Sequence, residues 1–504
     1  VVIAVPLAGL IGSVAIAADL PKESDYYRLE RCVTPPNIVL EVGGILPVDA
    51  NRVMVCTRRS EVWTITNPWS EKPEFLLSLD GLQEPLGLLA PDGPDRGIYV
   101  AQRGELSRMV DDAPADGRID RIETVCDDWD ISGNYHEYTF GPARDANGDL
   151  WITLNRPFGA GPFGEKDWRG WGVRVDRDGR AHFEVAGLRS PCGVGASPDG
   201  EIFYTDNQGE WCATSKLAAI HRGEFHGHPW GVASCRRPES RVETPADGND
   251  RIPNGLLMPE AARQIQNFTL PAVWFPYDKV GRSAPGFVWD TTGGRFGPFE
   301  GQVFVGDQYS AEVLRVDLEK VDGQWQGAVF PFRSGCGSGI VRVAWLPDGS
   351  LALGETNRGW ASRGEHGHGL ERLVWTGKTP FDIHRMRAIP GGFRLEFTER
   401  IDPTTAGDPA SYEMISYTYY HHEPYGSPEI DTKPCAITKA TVAEDGKSVE
   451  LAVEGLREVH VHELHAKGVR NAAGVPLLHG KAYYTLNRLV HQASTSRAHG
   501  SDRP

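Results

Sequence analysis

GVGASPDGEIFYTDNQG, residues 193–209, reads as two short strands joined by a tight turn. Pro-Asp-Gly supplies the turn, because Gly tolerates the positive φ that a two-residue hairpin needs. IFYT then supplies a strand of β-branched and aromatic residues, and the stretch ends in a polar set, TDNQG. The same phrase recurs as GLLAPDGPDRGIYVAQRG at 87–104, FGPARDANGDLWITLN at 140–155 and VAWLPDGSLALGETNRG at 343–359. Two variants are LPVDANRVMVCTRRSEVWTI at 46–65 and FGPFEGQVFVGDQYSAEVLRV at 296–316.

These six related units lie between about residue 30 and residue 376. Repeats at periods of roughly 40 to 60 residues indicate propeller blades or a solenoid. No helical pattern is present to cap an open solenoid, so the prediction is an all-β chain with a six-bladed β-propeller over 30–376. Two stretches exceed a plain blade, 155–170 (NRPFGAGPFGEKDWRG) and 236–280, each expected to act as a functional lid or a packing arm. Beyond LVWTGKTPFDIHRMRAIPGG the pattern changes. GFRLEFTERID, KSVELAVEGL, REVHVHELHAKGV and KAYYTLNRL alternate apolar and polar residues, which predicts an independent, small Ig-like β-sandwich from about 379 to 490. Residues 491–504 read as a disordered tail.

The composition fits this reading. Gly 58 and Pro 36, spread through 504 residues, suit many short strands and argue against long helices. A net charge of −16 without a basic stripe argues against a nucleic-acid partner. The opening VVIAVPLAGLIGSVAIAA, residues 1–18, looks like the apolar part of a secretory signal lacking its basic start, with Ala15 and Ala17 at the small-residue cleavage positions. No second apolar run follows, so no membrane span is expected in the mature chain. Eight cysteines without a CxxC or CxxCH motif fit an oxidising compartment, with Cys212 and Cys235 the pair most open to bridging. Together these features place the protein in the periplasm or outside the cell.

In a propeller, the loops leading to the innermost strands open on one face, so polar groups at equivalent places converge. The densest candidate is NYHEYTFGP, with Asn134, Tyr135, His136 and Glu137 just before a strand. His136 can take a proton near neutral pH, while Glu137 is expected on the opposite side. A structural histidine stitching two loops is the plainer alternative. The second cluster is TDNQGEW, where Asp206, Gln208 and the Gly209 carbonyl offer hard oxygens to Ca2+, although a solvent-facing turn reads equally well. Arg103, Arg189, Asp307, Gln308, Arg342, Asn357 and Arg358 occupy similar places in their units. Several arginines on inner positions of an acidic protein would form a positive pocket for a carboxylated cofactor or an acidic sugar. His226 with His228, and His366 with His368, have no recognised zinc spacing. VHVHELH at 459–465 reads as a strand with solvated histidines on one face.

These stretches resemble the glucose/sorbosone dehydrogenase family of six-bladed propellers, whose characterised members use pyrroloquinoline quinone (PQQ) and Ca2+. The likeness covers roughly 80–376. DTTGGRFGPFEGQVFVGDQ, FPFRSG, NRGW, YGSPEIDTKP and AYYTLNR look still more like exported propeller proteins of planctomycete type, a match that identifies fold and habitat rather than a reaction. The resemblance implies that His136 is the catalytic base and that Arg189, in LRSPCGV with Ser190 for the usual Asn, stabilises developing charge at the cofactor. Gln208 and Gly209 would join PQQ to Ca2+, with Asp206 alongside and Glu210 where a proline is usual. Arg342 would meet the cofactor from the last unit, with Asp307 and Arg358 as further cofactor-side candidates and Glu137 as a catalytic one. A lysine expected on the far side is replaced by Asp307 and Gln308, and a glutamine position appears as Glu84, which would disfavour a tricarboxylate.

The sequence therefore predicts an exported PQQ/Ca2+-type oxidoreductase that oxidises a sugar-like alcohol or aldehyde and hands electrons to a separate carrier. Two alternatives stand beside it. One is a Ca2+-dependent hydrolase or lyase acting on a lactone or polysaccharide. The other is a non-catalytic propeller that binds carbohydrate or protein.

Overall fold

The computed structural model describes residues 20–92, 97–112, 116–245 and 251–491. The expected signal at 1–18, and all but the first residue of the expected tail, lie outside these residues. The chain is almost entirely β, with short helices such as Met258–Gln264.

Each of the six units builds a four-stranded antiparallel meander. In the first, Val42–Pro47, Arg52–Thr57, Val62–Thr66 and Glu74–Leu79 pair in sequence order. The next three begin with Leu88–Leu89, Thr139–Arg144 and Pro191–Ala196, and the fifth with Phe287–Trp289. The sixth runs Ile340–Trp345, Leu351–Thr356, His368–Trp375 and takes its outermost strand from the start of the chain, Tyr27–Arg31.

The inner strands read as apolar runs because both faces of each sheet are covered. Val53 and Val55 pack with Ala352 and Leu370 of the sixth sheet, whereas Met54 and Cys56 pack with Val100 and Met109 of the second. The alternation continues around the set. Ile202 and Tyr204 meet Val185 of the third sheet, and Phe203 meets Val303 and Val305 of the fifth. Each sheet thus packs one face on its predecessor and the other on its successor, and the sixth meets the first. The first strands come close enough that a Cβ on Gly87 would run into the Gly141 carbonyl, and one on Gly193 into the Pro285 carbonyl.

The fifth sheet does not end at its fourth strand. Gln324–Arg333 also pairs with Lys481–Leu486, and the sheet continues through His460–His465 and Glu413–Thr418 to Ile430–Pro434. A second C-terminal sheet, Ile383–Ile389, Gly392–Phe397, Ser448–Glu454 and Ala436–Val442, packs on it through Phe393, Leu395, Leu451 and Tyr484. Ala328 and Phe330 of the fifth unit belong to that same core. Within the 236–280 stretch, residues 251–270 pack as an arm, and Val273–Phe275 is the outer strand of the fourth sheet. Leu256–Leu257 pairs with Tyr420–His421, and Ala261 and Ile265 join the core beneath the third sheet.

Two expectations need correction. All eight cysteines are free, and Cys212 and Cys235 do not bridge. Cys212 is fully buried and donates to the Thr214 carbonyl, whereas Cys235 lies on the short turn Val232–Arg236. Two of the three histidines of VHVHELH, His460 and His462, are also not solvated, and His465 is half-buried. Their strand lies mid-sheet between Glu413–Thr418 and Lys481–Leu486, so His462 is buried against Phe393, and burial pushes it down to about 3. No helix among the described residues is long and apolar enough to cross a membrane.

Candidate functional site

The Asp-Gly and Asn-Gly turns set where the polar residues go. They close the first and second strands at one end of the third, fourth and sixth sheets, at 145–148, 197–200 and 346–349, and the second strands finish at the opposite end. The residue that follows the second strand is Arg58 in the first sheet, Asn155 in the third, Asn207 in the fourth and Gln308 in the fifth. All four line one cavity of about 230 Å3, joined by Gln208 and Arg358 one position further on. Loops that lead into the first strands supply His136, Arg189, Ser190 and Arg282. Asn155 is 1% exposed, and its side-chain oxygen has no hydrogen-bond partner in the structure.

Among the described residues the wall carries four guanidiniums, Arg58, Arg189, Arg282 and Arg358, and no carboxylate. Acids stand behind the arginines: Arg358 pairs with Glu41 (2.9 Å), Arg282 lies 3.5 Å from Asp278, and the two inner acids are each shared by two arginines. Glu84 accepts from Arg58 (2.7 Å) and Arg103 (2.5 Å), and Glu210 from Arg156 (2.7 Å) and Arg189 (2.9 Å). Burial would raise the Glu210 carboxyl, but Arg189 and Arg156 hold it down at about 2, so it stays ionised. Two guanidiniums to each of Glu84 and Glu210 leave the inner cavity positive inside an acidic protein.

His136 sits on this wall with both ring nitrogens engaged. Nδ1 lies 2.7 Å from the Arg156 carbonyl, which assigns the proton to Nδ1 and leaves Nε2 as the acceptor. Nε2 lies 2.8 Å from Ser190 Oγ, which then donates to it. The ring stacks on Phe158 with centroids 3.7 Å apart. Burial, reinforced by Arg189 and Arg156, pushes His136 down to about 3, so it is neutral across the physiological range. Asp206 fixes the loop that presents Ser190, accepting from the backbone N–H of Arg189 (3.0 Å) and of Ser190 (2.6 Å).

The cavity thus gathers His136, Arg189, Gln208 and Arg358 of the predicted set, and it leaves five others off its wall. Glu137 faces away, as expected, its carboxylate accepting from Ser132 N (2.7 Å) and Ser132 Oγ (2.8 Å). Asp307 accepts from the backbone N–H of Arg282, Ser283 and Ser310 and so shapes the loop carrying Arg282. Arg342 lies deeper, donating to the carbonyls of Gly43 (2.8 Å), Cys192 (2.9 Å), Val341 (2.6 Å) and Leu86 (3.0 Å). Asp206 is committed to the 189–190 loop as described above. Gly209 is covered by a segment that sequence reasoning left without chemistry.

That segment is the C-terminal loop around 421–427. The Gly209 carbonyl accepts from Cys212 N (3.1 Å) and from Gly426 N (3.0 Å), while Trp211 N donates to the His422 carbonyl. Tyr425 joins the cavity wall with the Arg189 guanidinium 5.2 Å from its ring centre, and Phe158 flanks the same guanidinium at 5.2 Å. The turn expected to hold Ca2+ therefore spends most of its oxygens on the chain itself. Both Asp206 oxygens cap backbone N–H groups and the Gly209 carbonyl accepts two hydrogen bonds, while Gln208 is anchored through its amide nitrogen, which donates to the Ala213 carbonyl (3.1 Å), and one amide oxygen is too few for the ion. Among the described residues no group of three or more His, Cys, Asp or Glu could hold a metal, which includes the His226/His228 and His366/His368 pairs. These residues do not fit a Ca2+ ion at 206–209. The four guanidiniums do fit a ligand bearing several carboxylates, as PQQ does.

No protein-family model matches the chain, and no curated protein does. Among solved structures it is similar to the PQQ-bound aldose sugar dehydrogenase of Streptomyces coelicolor, at 16% identity and TM-score 0.45, over 69% of this chain and 98% of that one. The PQQ domain of pyranose dehydrogenase from Coprinopsis cinerea gives 13% and 0.47, over 69% and 95%. A luciferin-regenerating enzyme gives 11% and 0.44, over 70% and 96%. At identities this low, no residue role carries over from them.

Proposed function

We propose that the six sheets form a closed six-bladed β-propeller bearing a C-terminal β-sandwich, and that the exported protein is an oxidoreductase that oxidises a sugar-like alcohol or aldehyde in the propeller's funnel. PQQ is the candidate cofactor. The observation that supports this reading is a wall of four arginines and no carboxylate around a neutral histidine. Arg58 and Arg189, the two deepest guanidiniums, pair with carboxylates of the bound quinone. When bound, the quinone supplies the two-electron acceptor that protein side chains lack. His136 receives the substrate's hydroxyl proton at Nε2, directly or through Ser190 Oγ, while the Arg156 carbonyl holds the opposite nitrogen protonated. A bound anion offsets the Arg189 and Arg156 fields and so raises the basicity of His136 just when a ligand is present. Electrons leave through a separate carrier.

The test is titration of the purified protein with PQQ, followed by absorbance and by sugar-dependent dye reduction. Binding that survives EDTA, weakens about tenfold or more in Arg58→Ala, and supports reduction that His136→Ala abolishes is the expected result. Absence of PQQ binding removes the oxidoreductase reading. A second reading is favoured by the 2.8 Å contact of Ser190 Oγ with His136 Nε2, the geometry of a nucleophile beside its base. Ser190 would attack a lactone or ester carbonyl and release the alcohol, and water would then cleave the acyl-enzyme. Covalent labelling of Ser190 by a fluorophosphonate selects that hydrolase.

A further inference from the structure

The cavity has two tiers. Side-chain exposure is 9% for Arg58 and 5% for Arg189, but 23% for Arg282 and 45% for Arg358. The outer pair stands among open aromatic rings. Eight large hydrophobic residues are exposed among the described residues, and three of them line this one cavity: Tyr135 at 63%, Tyr425 at 55% and Trp360 at 42%. Arg282 stacks on Tyr309, 3.8 Å from its ring centre, and Tyr309 in turn lies 6.4 Å from Trp360. Exposed rings gathered at one mouth, against the hydrophobic cost of leaving them in water, mark a binding surface. Among the described residues no ring contact joins any two of Tyr135, Trp360 and Tyr425, so they offer separate single faces rather than a sandwich.

We propose that the cavity mouth is an acidic-sugar subsite, in which Tyr425 and Trp360 stack on successive rings of a uronic-acid oligosaccharide and Arg282 and Arg358 pair with its carboxylates. Separate single faces suit a chain of rings, each presenting its C–H face to one aromatic, whereas a nucleobase calls for rings on both sides. Arg282 Nε stands 3.5 Å from Asp278 and Arg358 Nη1 2.9 Å from Glu41, and the remaining N–H groups of each guanidinium add the preference for charge, since a guanidinium edge matches a carboxylate in a bidentate fork. This names the substrate class of the proposed oxidoreductase and rests on the inner tier holding its cofactor. The C-terminal loop then belongs to the active site, because it alone brings Tyr425 to the mouth.

Calorimetric titration of the full chain, without added PQQ, tests the proposal with trigalacturonate, neutral maltotriose and AMP. Trigalacturonate binds, and maltotriose binds at least about tenfold more weakly. Tyr425→Ala and Trp360→Ala each weaken trigalacturonate by about three- to tenfold, while Tyr425→Phe keeps most of the affinity. Arg282→Ala weakens trigalacturonate without changing maltotriose. Circular dichroism checks that these exposed positions leave the fold intact. Equal affinity for maltotriose, tighter binding of AMP, no binding of trigalacturonate, or an unchanged affinity in Tyr425→Ala each overturns the proposal. The PQQ titration is scored separately. Trigalacturonate binding without PQQ binding sinks the cofactor reading alone, and PQQ binding without trigalacturonate binding sinks the subsite alone.

Discussion

Arg342 brings a guanidinium to the place where the first strands meet, and its hydrogen bonds there all go to backbone carbonyls. Gly43, Leu86 and Cys192 belong to three other units, so one side chain ties four sheets together. Replacement by Met would leave buried carbonyls without a donor, and Arg342→Met should cost about 3 kcal/mol or more in urea unfolding. Gly426 makes a smaller, local case. Its φ is +63°, and a Cβ there would press on the Gln208 side chain 2.7 Å away. Gly426→Ala should lose about 1 kcal/mol of stability and weaken ligand binding by shifting the Gly209 turn. At this scale the sequence was partly legible. His136 and Arg189 stood out because they precede strands within recurring phrases. Arg58 was equally readable, since it is the first arginine of TRR (57–59) and follows its strand as Asn155 and Asn207 follow theirs, but the double arginine hid which of the two turns inward. Tyr425 opens YGSPEIDTKP, a stretch that carried a resemblance but no chemistry, because nothing local says that a loop some 200 residues downstream will reach Gly209.

Whole elements respond to acid through their buried histidines. His226 and His228 follow the third strand of the fourth sheet, and His421 faces them across the Gly227 carbonyl, with Lys216 donating to the His226 carbonyl. Burial lowers all three below the usual histidine value, His421 to about 4, despite the Gly227 hydrogen bond. The folded protein therefore keeps them neutral, while the unfolded chain binds protons near pH 6.5. Their contribution is complete above that pH and declines as pH falls towards 4. Tm measured from pH 8 to pH 4 should drop below about 6.5, and His421→Gln should flatten the decline while lowering the plateau. Strand identity was the most legible property of the elements, since β-branched runs between Asp-Gly turns left little choice. Solvation was less so. His462 alternates with buried residues as a surface histidine would, and only the sheet laid on its far face buries it.

At the scale of the molecule, six repeats and a distinct C-terminal region were both readable, but their seam was not. Hydrophobic alternation marks which residues face inward and says nothing about which edge a strand will join. Lys481–Leu486 pairs with Gln324–Arg333 through Thr485, Tyr484 and Tyr483, so the fifth unit and the C-terminal strands share one sheet. A chain ending at residue 377 would leave that edge unpaired and expose Ala328 and Phe330. Such a truncation should elute as aggregates in size-exclusion chromatography rather than as a monomer. A truncation that folded as a stable monomer would show that the seam is dispensable.

The pairing of Tyr27–Arg31 with His368–Trp375 also sets a timetable. A ribosome delivers the first of these strands hundreds of residues before its partner, and the fifth sheet waits in the same way for residues near 484. The first join waits for residues near 375 and the second for residues near 484, so a growing chain carries open edges until each of those strands arrives. Until then each edge is an unpaired template for a neighbouring chain, and pairing within the same molecule is what retires it.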